Sequence, residues 1–175
     1  MDRRRLLAII SVVIVLVLAL SGGIAAQFYI RYLNQQSDQK QKQADKAAAF
    51  SKVVSNTQEL ADAGKVDESN KAIQNALKDT SLDKAQRGQL LLQQATNYSE
   101  QGDQTGAIDS YQQAVNADET YETYKALADA MVGVDNQKAI QYYKRALELL
   151  PKDGQLNDAY TRTINQDITI LGGQP

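Results

Sequence analysis

Polar and apolar positions divide the chain into three stretches with different patterns. Residues Leu6 to Ala26, "LLAIISVVIVLVLALSGGIAA", hold 21 residues without a charged side chain. At about 1.5 Å per residue they make roughly 31 Å of helix, which matches a hydrocarbon core of about 30 Å. The next stretch, "NQQSDQKQKQADKAAAF" from Asn34 to Phe50, has no apolar residue before Ala44 and no Gly or Pro. It consists of fair helix formers with nothing to build a core, so it predicts a solvated helical stalk, with a disordered tether as the alternative. From Phe50 onward the apolar positions recur at helical spacing. Leu91, Ala95 and Tyr98 share a face, as do Ile108, Tyr111, Ala114 and Val115. Gly64, Gly102 and "GVDNQ" (133 to 137) interrupt the pattern where turns belong. No stretch alternates with period two for long enough to predict a sheet, so the expected class is all-α.

The helical part repeats itself. "AIDSYQQAVNADE" from Ala107 is echoed 32 residues later by "AIQYYKRALELLP" from Ala139. Each copy has Ala, then Tyr four residues on, then Ala three further: Ala107, Tyr111, Ala114 and Ala139, Tyr143, Ala146. Upstream of these come Leu91, Ala95, Tyr98 and Gly102 in one copy, and Tyr124, Leu127, Ala128 and Met131 in the next. A weaker earlier copy holds Val53, Leu60, Gly64, Ile73 and Ala76, with Ser69 where a small apolar residue is usual. A period in this range signals stacked helix–turn–helix units. Small residues at Ala107 and Ala139 let paired helices approach within about 8–10 Å, and Pro151 stops its helix.

This pattern resembles the tetratricopeptide repeat family over residues 50–151, in units 50–82, 88–119 and 121–151. The resemblance implies a concave surface lined by the second, fifth, ninth and twelfth positions of each first helix, where an extended peptide or a partner helix binds. Those positions are Gln89, Leu92, Thr96 and Ser99 in the middle unit, and Glu122, Lys125, Asp129 and Val132 in the last. Some members clamp a partner's C-terminal carboxylate with Lys at the fifth position and Asn at the ninth. Here Lys125 is followed by Asp129, and the middle unit has Leu92 and Thr96, so the clamp does not carry over. In residues 152–175, Leu156, Tyr160, Ile164, Ile168 and Leu171 form one apolar stripe, predicting a helix that caps the stack, with partner docking as the alternative.

The N-terminal run predicts a membrane anchor: a tail at 1–5, a transmembrane helix at 6–30, and the stalk or linker at 31–49. A cleaved export signal is the competing reading, but its apolar core runs only about 7–15 residues. Phe28, Tyr29 and Tyr32, with Arg31 among them, fit an interfacial aromatic belt. Acylation as a lipoprotein is excluded because the chain has no cysteine. Arg3, Arg4 and Arg5 favour a cytoplasmic N-terminus and an extracytoplasmic repeat domain, as in a single-pass bacterial envelope protein. The pairs Ala19/Gly23 and Gly22/Ala26 allow close approach of two spans, hence a homo-oligomer.

Charge and chemistry then narrow the function. Without Arg3, Arg4, Arg5, Arg31 and Asp2, the remaining 15 cationic and 20 acidic residues give a net charge of −5, which argues against nucleic acid as a partner. No His, Cys or Trp occurs, so histidine acid–base catalysis, cysteine nucleophiles and His/Cys zinc sites are all excluded. No catalytic residue, cofactor or metal is expected. The sequence predicts a non-enzymatic, membrane-anchored protein–protein interaction scaffold, serving secretion, envelope assembly or a chaperone-like role. The alternative is a structural subunit packed into a membrane complex through its repeats.

Overall fold

A computed structural model describes the backbone of residues 3–151 and 155–175, and the side chains of residues 26–151 and 157–175. Among the described residues seven helices follow in order: α1 (Arg3–Asp62), α2 (Val66–Ala76), α3 (Lys84–Glu100), α4 (Gln104–Ala117), α5 (Tyr121–Met131), α6 (Asn136–Leu149) and α7 (Gln155–Ile170). Among the described residues there is no strand. The chain divides into two compact units, Met1–Ala49 and Phe50–Pro175, and the division falls within α1.

In the first unit, every described side chain from Ala26 to Ala49 is exposed. Polar pairs one turn apart, such as Gln36 to Tyr32 (3.0 Å) and Gln41 to Asp45 (2.9 Å), support the helix locally. Among the described residues no helix is long and apolar enough to cross a membrane. The run Leu6–Ala26 that predicts a span lies, except for Ala26, outside the residues whose side chains are described.

In the second unit, α3 pairs with α4 and α5 with α6, while α4 packs on α5 and α7 on α6. The turns are set by Gly102 (φ 76°) and Gly133 (φ 79°), in a left-handed conformation that costs other residues about 1–2 kcal/mol. Starts are set by side-chain caps: the Asp83 carboxylate accepts from the Gln86 N–H at 2.8 Å, and the Asp103 carboxylate from the Gly106 N–H at 2.9 Å. The middle hairpin lacks a terminal proline. It ends because Asp118 turns extended (φ −148°) and Thr120 caps α5. In the last hairpin Leu150 is extended ahead of Pro151, as the proline ring requires.

The alanines of the echo lie inside the stack. Ala95, Ala107, Ala114, Ala128, Ala139 and Ala146 are all buried. Around α4–α7 the core is apolar, built on Val115, Leu127, Met131, Ile140, Ile164 and Ile168. The stripe on α7 supplies Ile164 and Ile168, both fully buried, and Tyr160 lies 5.2 Å from the Tyr121 ring between centroids.

The junction of α1, α2 and α3 is built differently. Ser69, where the repeat expects a small apolar residue, is fully buried and its hydroxyl donates to the Thr57 carbonyl at 2.7 Å. The Asn97 amide donates to Ser69 Oγ (2.9 Å) and to Asn70 Oδ1 (2.7 Å). Thr57, itself fully buried, sits 2.9 Å from Gln93 Oε1. Hydrogen bonds thus fix the register that apolar side chains fix further along, because a buried polar group is tolerated only when it is partnered.

Candidate functional site

The α3 and α5 residues expected to line a groove are mostly at the surface. Gln89, Thr96, Ser99, Glu122, Asp129 and Val132 are exposed, while Leu92 and Lys125 are half-buried. Their spacing of three and four residues is what places them on one side of each helix. The Thr96 hydroxyl donates to the Leu92 carbonyl at 3.1 Å, the back-bond usual for Thr inside a helix.

Three of the eight residues come together. Ser99, Asp129 and Val132 border one cleft of about 340 Å³ with Gln104 and Ala107. Asp129 and Val132 also border a second cleft of about 270 Å³, with Tyr143, Asp167 and Ile170. The two hollows therefore meet at Asp129 and Val132 and run from the α3–α4 turn past α5 to α7. Gln89, Leu92, Thr96, Glu122 and Lys125 border neither.

Asp129 is the fixed point of this surface. One carboxylate oxygen accepts from Lys125 Nζ at 2.7 Å and the other from the Tyr143 hydroxyl at 2.6 Å. The second bond ties the two helices of the last hairpin together. Burial of the Tyr143 ring, then the hydrogen bond to Asp129, push its hydroxyl far above the ordinary tyrosine range, so it remains a donor at any physiological pH. Lys125 is therefore held by its own helix rather than free to seize a carboxylate.

Sequence reasoning passed over Tyr143, Asp167 and Ile170. Tyr143 reads as a packing residue, and only its three-dimensional setting shows that its hydroxyl positions Asp129. Ile170 falls beside the α7 stripe and is 72% exposed. An apolar residue off the stripe is the signal that could have found it. Outside the two clefts, the Arg145 guanidinium lies 2.6 Å from Glu148 and 5.9 Å from the centre of the Tyr124 ring. Among the described residues no group of His, Cys, Asp or Glu is placed to hold a metal ion.

No family model matches the chain, and no curated protein matches it in sequence. Solved structures do. The Sgt2 TPR domain from Aspergillus fumigatus superposes with a TM-score of 0.55 at 18% identity, over 70% of this chain and 79% of that one. A crystal structure of MamA gives 0.51 at 22% identity over 66% of this chain, which spans 64% of the MamA chain. The first TPR of Spaghetti (RPAP3), bound to HSP90 peptide SRMEEVD, gives 0.50 at 18% identity, over 69% of this chain and 93% of that one. At these identities the likeness defines the fold: a tetratricopeptide-type stack of helix hairpins.

Proposed function

We propose that this protein is a non-enzymatic scaffold whose repeat unit recruits another polypeptide to a membrane surface. The observation that carries the reading is the pair of clefts meeting at Asp129 and Val132, on the face predicted to bind partners. An extended segment or a helix suits it. Because Lys125 is engaged by Asp129, recognition rests on side chains of the partner rather than on its C-terminal carboxylate. The peptide-bound state of the Spaghetti domain supports the general mode without identifying a partner for this chain.

Membrane attachment is part of the same proposal. Its support is the uncharged run Leu6–Ala26, followed by a collar of aromatic and apolar side chains with Phe28, Tyr29 and Tyr32 each more than half exposed. The arginines before the run favour a cytoplasmic N-terminus, which places the repeats on the outer side of the cytoplasmic membrane. A photoreactive residue at Val132 is expected to give a discrete crosslinked species in cells, and one at exposed Lys144 on α6 is expected to give none. Equal crosslinking at both positions, or none at either, refutes the scaffold. Alkaline phosphatase fused beyond Pro175 is expected to be active; release of the chain from membranes by carbonate refutes the anchor.

A further inference from the structure

Gln94 is a core position where the middle hairpin carries a polar side chain and the last carries an apolar one. Leu127 occupies the same register place 33 residues on, and it is fully buried. The fold therefore accepts leucine there. Gln94 is also buried, at 5% exposure, yet its amide nitrogen Nε2 has no hydrogen-bond partner. A lone buried donor forfeits the hydrogen bond it had in water, so glutamine is the less stable choice unless an acceptor arrives from outside.

The surroundings show what that acceptor would bring with it. Gln94 lies two residues from both Leu92 and Thr96, roughly 200° around α3, and so faces away from the groove described above. It borders an open cleft of about 370 Å³ between α2 and α4, together with Gln74, Tyr98, Asp103, Asp109 and Gln113. No lysine or arginine borders this cleft. Asp103 uses one carboxylate oxygen to cap α4 through the Gly106 N–H, and Asp109 is exposed. The site thus offers two carboxylates to a cation and an amide donor to a neutral acceptor.

We propose that this cleft is a second docking site, which takes a basic residue of an extended partner peptide. The guanidinium or ammonium group pairs with Asp109 and Asp103, and the Gln94 amide turns into the cleft so that a peptide carbonyl accepts from Nε2. A bare cation has no acceptor for the amide, and an anionic ligand meets the carboxylates, so a peptide is the chemistry that satisfies both.

The test uses the full chain, isotope-labelled in detergent, with the side-chain amide resonances of glutamine as readout. Blocked Gly-Arg-Gly is titrated to about 10 mM, beyond the millimolar affinity expected of so small a ligand, against the neutral citrulline analogue. The Gln94 resonances are expected to move with the arginine peptide and at least about tenfold less readily with citrulline, a difference of one charge contact. Asp109→Asn is expected to weaken the response. Gln94→Leu is expected to abolish binding, read at Gln113, while holding or raising Tm. A site that holds only water gives no movement, and that overturns the proposal. Equal response to both peptides, or unchanged binding in Gln94→Leu, overturns it as well. Crosslinking at Val132 is independent of these outcomes.

Discussion

Replacing Asn97 with alanine tests whether hydrogen bonds hold the first hairpin to the rest of the stack. Asn97 is 2% exposed and is the donor at the centre of the α2–α3 junction, 2.9 Å from Ser69 Oγ and 2.7 Å from Asn70 Oδ1. Truncation removes both bonds and leaves Asn70 Oδ1 without its amide partner, in a residue only 6% exposed. Each of the two bonds contributes about 1 kcal/mol net, and an orphaned buried acceptor adds about 1–3 kcal/mol, so the expected loss is about 3–5 kcal/mol. For a unit of this size that lowers Tm by about 12–20 °C. The assay is thermal unfolding of the full chain in detergent, followed by circular dichroism, with Thr96→Ala as control. Thr96 is exposed and bonds only its own helix, so its loss is expected to stay within about 0.5 kcal/mol. Asn97→Asp keeps the shape and reverses the polarity of the donor, setting a carboxylate against Asn70 Oδ1. It is expected to cost more than alanine at neutral pH and less once the carboxyl is protonated. A loss below about 1 kcal/mol in Asn97→Ala, or an aspartate variant as stable as wild type at neutral pH, refutes the account.

Other expectations follow from single contacts. Tyr143→Phe deletes the 2.6 Å bond to Asp129, whose side chain is 48% exposed and keeps Lys125, so about 1 kcal/mol is expected by urea unfolding, below the range for buried charged partners. Gly133→Ala meets no atom within 4 Å and should cost only its left-handed backbone, about 1–2 kcal/mol. Gly88→Ala places a methyl 2.9 Å from the Asp118 Cβ and forces α3 away from the end of α4, read as lost amide protection at both. The Lys138 backbone N–H bonded to Asp135, followed by the Lys138 charge, hold that carboxyl below its ordinary 3.8. A depressed carboxyl contributes stability that is complete above the unfolded value and fades as pH falls through the folded one. Asp135→Asn should therefore flatten the acid limb of the stability curve, and a carbonyl-detected titration should place the Asp135 midpoint below 3.8.

The hairpins were legible because their packing recurs in the chain as spaced alanines, and every alanine of the echo is buried as that geometry requires. Gly64, Gly102 and Gly133 likewise announced the turns, since each adopts the positive φ that other residues avoid. The polar junction was not legible. Thr57, Ser69 and Asn97 stand 12 and 28 residues apart, and each alone reads as a solvated helix position. Only their meeting makes them core. The groove was legible in part: helical spacing places a residue on a side of a helix, but the depth of a cleft depends on neighbours. Tyr143 and α7 close over Asp129 and Val132, whereas Gln89 and Glu122 border neither of the two hollows that meet there.

The end of the chain bears on how this protein is handled. Gly172 turns the backbone at φ 82°, and a methyl on Gly173 would fall 2.8 Å from Ile168 Cγ2 and 3.1 Å from Ile140. The last few residues are thus seated as a lid over two isoleucines. A tag spliced in before Gly173 would lift that lid and leave a greasy, open-ended stack prone to clump with its own kind. One attached past Pro175 through a pliant spacer leaves the seal closed.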